Sequence, residues 1–415
     1  MRKIDQADIN SFLKLGYFLK YRNPTYSLDL TCGDKTRYCG ADTQELVDIG
    51  IEKFKGAVAR RYRSNQEHVV PLSGGLDSRA ILAALLEHSP ATRIRTYTFG
   101  TPGTYDYDIG NEVARSAGTT HLRVPLTKYQ YTLDNLIAIS RRVDHQTFLF
   151  HHPCVEKIDE YCAGRHVWSG ALMDPLFGSH YHEEKASDWD EARRNFIREQ
   201  CYSRSVKLTD VPDEALLDAI EIDDRLFGRV ALELCLDMLN RQLKFIFPHV
   251  LMKGFQYKVL FDDKDLVAFA LSIDERLLKR QTLYKMMLLK AFPKLFRLRT
   301  KTADGLPLTA GHYRHAMHKR IRKLRNRIVC YRTGFPNPNP HCNYIDFSRG
   351  IRERSDLRHV VFTSIQDLKR RGVVPWIDVD AIWEQHMSRK ANYSNELIIL
   401  ASLELHFKAG LRWCS

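Results

Sequence analysis

Residues 69–84 read VVPLSGGLDSRAILAA: an apolar run, then Ser73-Gly74-Gly75-Leu76-Asp77-Ser78, then an apolar run at helical spacing. A strand that ends in a glycine turn and opens a helix leaves backbone N–H groups unpaired at the positive end of the helix dipole, which makes an anion site. Gly74 and Gly75 let the backbone approach a phosphate closely, and Ser73 and Ser78 add hydroxyl donors. An acidic residue inside such a loop makes sense once a divalent cation is included: Asp77 holds Mg2+, and Mg2+ holds the phosphates. The Gly-Lys-Ser/Thr ending of the Walker loop is missing, which argues against an ordinary kinase or GTPase cradle. The competing reading is a glycine-rich turn with no ligand.

Outward from this loop, EHVVPL, RTYTF and RHVWSG are short β-like runs alternating with the helical stretches RAILAALLEH, DIGNEVARSAG and HPCVEKIDEYCAG. That alternation predicts an α/β fold with a parallel sheet flanked by helices, and the amphipathic segments from Asp190 to Leu298 predict a mainly helical half after it. Residues 1–42 read as a short N-terminal appendage, with the first long helix opening at Thr43 as its N-cap. Residues 43–311 form the expected nucleotide-binding unit, 312–340 a basic helix and Pro/Asn-rich loop, and 341–415 a C-terminal helical part. The loop TGFPNPNPHCN (333–343) marks the boundary between the last two.

The 415 residues are 44% hydrophobic and 27% charged, ordinary for a soluble globular protein. MRKIDQADIN opens without an apolar leader, and stretches such as LIILASLEL are too short to span a bilayer. Nine cysteines without a C-x-x-C pair suggest reduced thiols and a cytoplasmic location. A formal charge of +13 favours an anionic partner: a nucleotide, a nucleic acid or an anionic membrane surface. The charge concentrates in HYRHAMHKRIRKLRNRIVCYR (312–332), read as a solvated basic helix or as a nucleic-acid or lipid footprint. His312, His315 and His318 can share a helix face, but no carboxylate or cysteine at matching spacing supports a metal there.

PLSGGLDSRAILAALLE resembles the pyrophosphate loop of the N-type ATP pyrophosphatases, and the surrounding chain resembles the synthetase domain of asparagine synthetases. RTYTFGTPGTYDYDIGNEVARSAGTTHLRVPL, HVWSGALMDPLFGSHY, YKVLFDDKDLVAFALSID, FPKLFRLRTKTADGLPL and the tail IWEQHM…NYSNELIILASLELHF are similar, in order, to further segments of that domain. The resemblance implies an ATP- and Mg2+-dependent ligase that adenylates a substrate carboxylate, releases pyrophosphate, and lets an amine or ammonia displace AMP. Ser73, Gly74, Gly75, Asp77 and Ser78 match the first loop, and Gly170 and Asp174 match the second, with Asp77 and Asp174 sharing the metal. Lys301 matches the lysine over the reacting phosphates, and Tyr97, Thr98 and Phe99 lie where the adenine is bracketed. Plainer readings make Asp174 an N-cap and Lys301 a surface charge.

The pattern departs from the family in two ways. The first sixty residues resemble only the end of the family's glutaminase domain, so ammonia or another amine is expected from solution or a partner subunit. Ala171 and Pro175 stand where asparagine synthetases carry carboxylates, which puts plain aspartate chemistry in doubt and leaves a small-molecule, peptide or glycan carboxylate as substrate. Asp144, His145, His180 and Glu183 are the nearby candidate bases. Two other functions fit the same loop: a tRNA-modifying enzyme that adenylates a base, and a non-catalytic nucleotide-binding homologue.

Overall fold

The chain opens with β1 (Lys3–Ile4) and α1 (Gln6–Leu15), and α2 (Thr43–Arg61) leads into a central sheet. The structure is a computed structural model and describes residues 3–152, 155–180, 185–333 and 339–414. The sheet holds β2 (His68–Pro71), β3 (Ile94–Gly100), β4 (Thr120–Pro125), β5 (His166–Ser169) and β6 (Gln256–Val259), in the spatial order β4-β3-β2-β5-β6. All four pairings are parallel, with His68 opposite Ile94 on one side and His166 on the other. The expected α/β fold is therefore present.

Both faces of the sheet are covered, and this is why its central strands read as apolar runs without alternation. Val70 and Leu72 join a core with α3 (Asp77–Leu85) and α4 (Tyr105–Ala117), while Val69, Tyr97 and Val167 face α5 (Val155–Cys162). The strand order reverses at β2, with β3 on one flank and β5 on the other. In an open parallel sheet such a reversal leaves a crevice beyond the carboxyl ends of the strands. The loop 73–78 leaves β2 there, and the 170–174 segment leaves β5 beside it.

The edge strands β4 and β6 were not among the expected strands; THLRVP and QYKV carry the polar residues usual at sheet edges and give little strand signal. The N-cap of α2 is Asp42 rather than Thr43, because the Asp42 carboxylate accepts from Gln44 N–H at 2.8 Å. The run RVALELCLDMLNRQLKFIF is a short α-helix at Leu232–Leu236, a π-helix at Asp237–Ile246, then α-helix again at Phe247–Val250. The helix Ser355–Arg371 lies within residues 341–415, the part expected to be helical.

The N-terminal segment, expected as an appendage, is woven into a second core. Asp5 and Asp8 form a capping box that starts α1, and Gly16 ends it with φ +81°. Ile9, Phe12 and Leu13 then bury against Leu397, Ile398, Ala401 and Leu405 of the helix Ser394–Lys408. β1 pairs in parallel with β9 (Arg412–Trp413), joining the two ends of the chain. Phe12 is fully buried, with its ring 5.4 Å from that of His406. Phe12→Ala is expected to cost about 3–5 kcal/mol in urea denaturation; a loss below about 1 kcal/mol would mean that α1 is only loosely attached.

Candidate active site

The turn between β2 and α3 is held by its own side chains. Ser73 N–H donates to Ser78 Oγ at 3.2 Å, and Gly75 N–H donates to Ser73 Oγ at 3.2 Å. The hydroxyls thus satisfy amides that would otherwise be orphaned at the start of α3. Phosphate oxygens are acceptors of the same kind and can take these donors over.

A third amide, Gly74 N–H, donates to Asp106 Oδ1 at 3.1 Å. Asp106 sits in the first turn of α4, where a carboxylate suits the helix dipole, and its Oδ2 lies 2.5 Å from Lys301 Nζ. Lys301 N–H donates to Gly74 O at 2.8 Å. The lysine therefore meets the loop directly through its backbone and again, by way of Asp106, through its side chain. A Cβ on Gly74 would lie 2.7 Å from Tyr105 O and 3.2 Å from Lys301 Cβ, so this close approach requires glycine.

Lys301 lies just past β7 (Arg299–Thr300), which pairs with β8 (Leu306–Pro307) in a short antiparallel hairpin. Buried Arg79 of α3 fixes the base of the hairpin, donating to Arg299 O at 2.8 Å and Leu295 O at 3.3 Å. Its guanidinium also lies over Phe296, 5.5 Å from the ring centre. This anchor in the SRAIL segment escaped the reading of the sequence.

The Asp77 and Asp174 carboxylates lie close enough for the charge of one to act on the other. Burial first, and the neighbouring Asp174 carboxylate second, push the Asp77 carboxyl well above its usual range. A cation between the two would remove that repulsion. Gly170 is required here as well: a Cβ on it would fall 2.5 Å from Asp77 Cβ. Asp174 is the second residue of the short helix α6 (Met173–Leu176), so it is not the N-cap, which is Leu172 at φ +71°; its side chain is exposed.

Each carboxylate has a support that the sequence did not reveal. Tyr284 O–H donates to Asp77 Oδ1 at 2.9 Å, and Gln281 Nε2 donates to Asp174 Oδ1 at 2.8 Å. Gln281 and Arg280 both hold left-handed backbone, with φ of +57° and +55°. Such conformations cost roughly 1 kcal/mol or more and concentrate at sites where the surroundings enforce them.

Tyr97, Thr98 and Phe99 lie on β3 beside the loop. The Tyr97 carbonyl accepts from Leu72 N–H at 2.7 Å, Thr98 Oγ1 donates to Leu72 O at 3.0 Å, and the Phe99 carbonyl accepts from Asn343 Nδ2 at 2.9 Å. Asn343 belongs to a C-terminal segment whose Tyr344 stacks on His151, with ring centres 3.6 Å apart. Of the candidate bases, Asp144 accepts from Tyr21 O–H at 3.0 Å, His145 pairs with Ser140 Oγ at 2.9 Å, and His180 pairs with Asp237 at 3.0 Å. All three are engaged structurally, and Glu183 lies outside the described residues. A cavity of about 1000 Å3 lined by Tyr38, Lys185, Phe227 and Glu275 shares no residue with this site.

Two oxygens of a carboxylate pair beside a phosphate-ready loop match the way Mg2+ binds, through one or two carboxylates plus phosphate oxygens. If Tyr284 and Gln281 set the carboxylate geometry, Tyr284→Phe and Gln281→Leu should each weaken Mn2+ binding in the presence of nucleotide by about 10-fold or more. The affinity is read from the electron paramagnetic resonance of free Mn2+. Wild-type affinity in both variants would deny them this role.

Residues 51–227 match the family model for asparagine synthase. No curated protein matches the chain significantly. The matched segment contains the whole Ser73–Ser78 loop, Tyr97–Phe99, Asp106, Gly170 and Asp174, whereas Lys301, Gln281 and Tyr284 lie beyond it. With a parallel sheet of the expected kind beneath that loop, residues 51–227 are similar to the synthetase domain of the asparagine synthase family, a family of ATP-dependent ligases.

Proposed function

We propose that the chain is an ATP- and Mg2+-dependent ligase that makes an amide bond through an acyl-adenylate. The observation that carries this reading is the convergence of an amide-rich loop, a carboxylate pair and a lysine at the carboxyl ends of β2 and β5. In the first step a substrate carboxylate oxygen attacks the α-phosphorus of ATP. The bond from that phosphorus to the bridging oxygen breaks, and pyrophosphate leaves. In the second step an amine or ammonia attacks the acyl carbon, the C–O bond to AMP breaks, and a base takes the proton from nitrogen.

The chain's own groups divide this work. Amides and hydroxyls of Ser73–Ser78 would take the leaving pyrophosphate in place of the internal acceptors they now use. Lys301 would turn from Asp106 to the phosphates, so that charge is neutralised where it develops. Asp77 and Asp174 would hold Mg2+, whose contribution is to offset the charge of the pyrophosphate. Ala171 and Pro175 carry no titratable group, so the proton of the amine goes to a base outside that loop. Residues 43–311 with 341–415 would form the synthetase unit, acting in the cytoplasm, with the amine supplied free or by a partner subunit.

ATP–pyrophosphate exchange over a panel of carboxylic acids, starting with aspartate, tests the reading. Exchange is expected with at least one acid, and it should fall by about 1000-fold or more in Asp77→Ala and about 100-fold in Lys301→Met, with the circular dichroism of both unchanged. Unimpaired exchange in Asp77→Ala, or release of ADP and phosphate instead of AMP and pyrophosphate, would overturn it.

A further inference from the structure

The helix His312–Thr333 carries eight Lys/Arg and no Asp or Glu, and the synthetase reading gives it no task. Its two faces differ. His315, His318, Arg322 and Val329 are partly buried and repeat at helical spacing, so they mark the side turned to the body of the protein. Arg322 Nη1 lies 3.2 Å from Asp304 Oδ1 and 3.3 Å from Tyr105 Oη, and Lys319 Nζ lies 3.5 Å from Asp304 Oδ2. Asp304 stands three residues past Lys301, in the turn of the same hairpin, so the helix is moored to the edge of the site.

The opposite face is apolar and open to solvent. Tyr313 (81% exposed), Met317 (50%), Ile321 (52%), Leu324 (60%), Ile328 (45%) and Tyr331 (93%) form a stripe along the helix. At 100° per residue they fall within about 80° of arc, centred roughly opposite Arg322. Arg320, Lys323 and Arg327 border the stripe on one side, and Arg314 and Arg325 on the other. Six large apolar side chains in water on one helix face call for a covering surface.

We propose that this helix docks flat on an anionic phospholipid surface, with the stripe in the headgroup–acyl boundary and the flanking cations on lipid phosphates. An apolar face between two basic borders, with an aromatic residue at each end, is what an interfacial helix requires. Its 22 residues reach about 33 Å, and no helix among the described residues is long and apolar enough to cross a membrane. A second copy of the chain fits less well. The 317-321-324-328-331 spacing could form a coiled-coil seam, but His318, Arg320, Arg325 and Arg327 would then meet like charges across it. A nucleic acid would pair with the borders and leave Ile321, Leu324 and Ile328 in water. The proposal stands independently of the chemistry of the site, although docking would bring the Lys301 turn to the bilayer.

The test is sedimentation of the full chain with vesicles of phosphatidylglycerol and phosphatidylcholine, compared with phosphatidylcholine alone. Binding to the mixed vesicles should be at least 10-fold tighter and should weaken as salt rises. The triple variant Ile321→Ser, Leu324→Ser, Ile328→Ser and the double variant Arg320→Glu, Arg327→Glu should each lose at least 10-fold, with unchanged circular dichroism. Equal binding to both vesicle types, or wild-type binding by the triple variant, would overturn the proposal. So would tRNA binding that survives in the triple variant while vesicles do not bind, or a concentration-dependent dimer that the triple variant abolishes.

Discussion

The carboxylate of Asp106 is the joint on which the site depends. One oxygen receives Gly74 N–H and the other receives Lys301 Nζ, while Lys301 N–H closes the circuit on Gly74 O. Three segments far apart in sequence are fixed to one another in this way: the turn after β2, the first turn of α4 and the hairpin of β7 and β8. The arrangement also neutralises the lysine until a more strongly anionic partner arrives. A triphosphate offers more negative charge than one carboxylate, so in the proposed function Lys301 would exchange Asp106 for the phosphates.

The carboxylate pair has a matching logic. Asp77 comes from the sheet-to-helix turn and Asp174 from the segment after β5, and Gly170 is what lets those backbones approach. Left alone, the exposed Asp174 carboxylate repels Asp77, whose burial adds to the cost. Tyr284 and Gln281 offset part of that cost with one hydrogen bond to each. Of seven non-glycine residues with positive φ among the described residues, Leu172, Arg280, Gln281 and Asp304 all lie in segments that build the site or its rim.

How much of this was legible follows from the range of each interaction. The Ser73–Ser78 loop was readable because its chemistry is local: glycines, hydroxyls and an aspartate within six residues, bounded by a buried strand and a helix. The central strands were readable because burial on both faces makes them continuously apolar, whereas β4 and β6, with one open edge each, were not. Asp106, Arg79, Tyr284 and Gln281 gave no signal of their own, since each matters only through a partner roughly 30 to 220 positions away. Asp174 and Lys301 were expected through the family resemblance alone, and no spacing rule would have joined them to Asp77. The N-terminal segment misled for a related reason: its apolar face is short, and only the C-terminal helix that covers it makes α1 part of a core.

A crystal structure with Mn2+ and a non-hydrolysable ATP analogue bearing an α,β-methylene bridge would test the account most directly, with the metal located by anomalous scattering. The predicted result is an anomalous peak between Asp77 and Asp174, phosphate oxygens on the amides of Ser73–Ser78, and Lys301 Nζ moved from Asp106 to the phosphates. A nucleotide bound away from that loop, or Lys301 still paired with Asp106 beside bound phosphates, would contradict it.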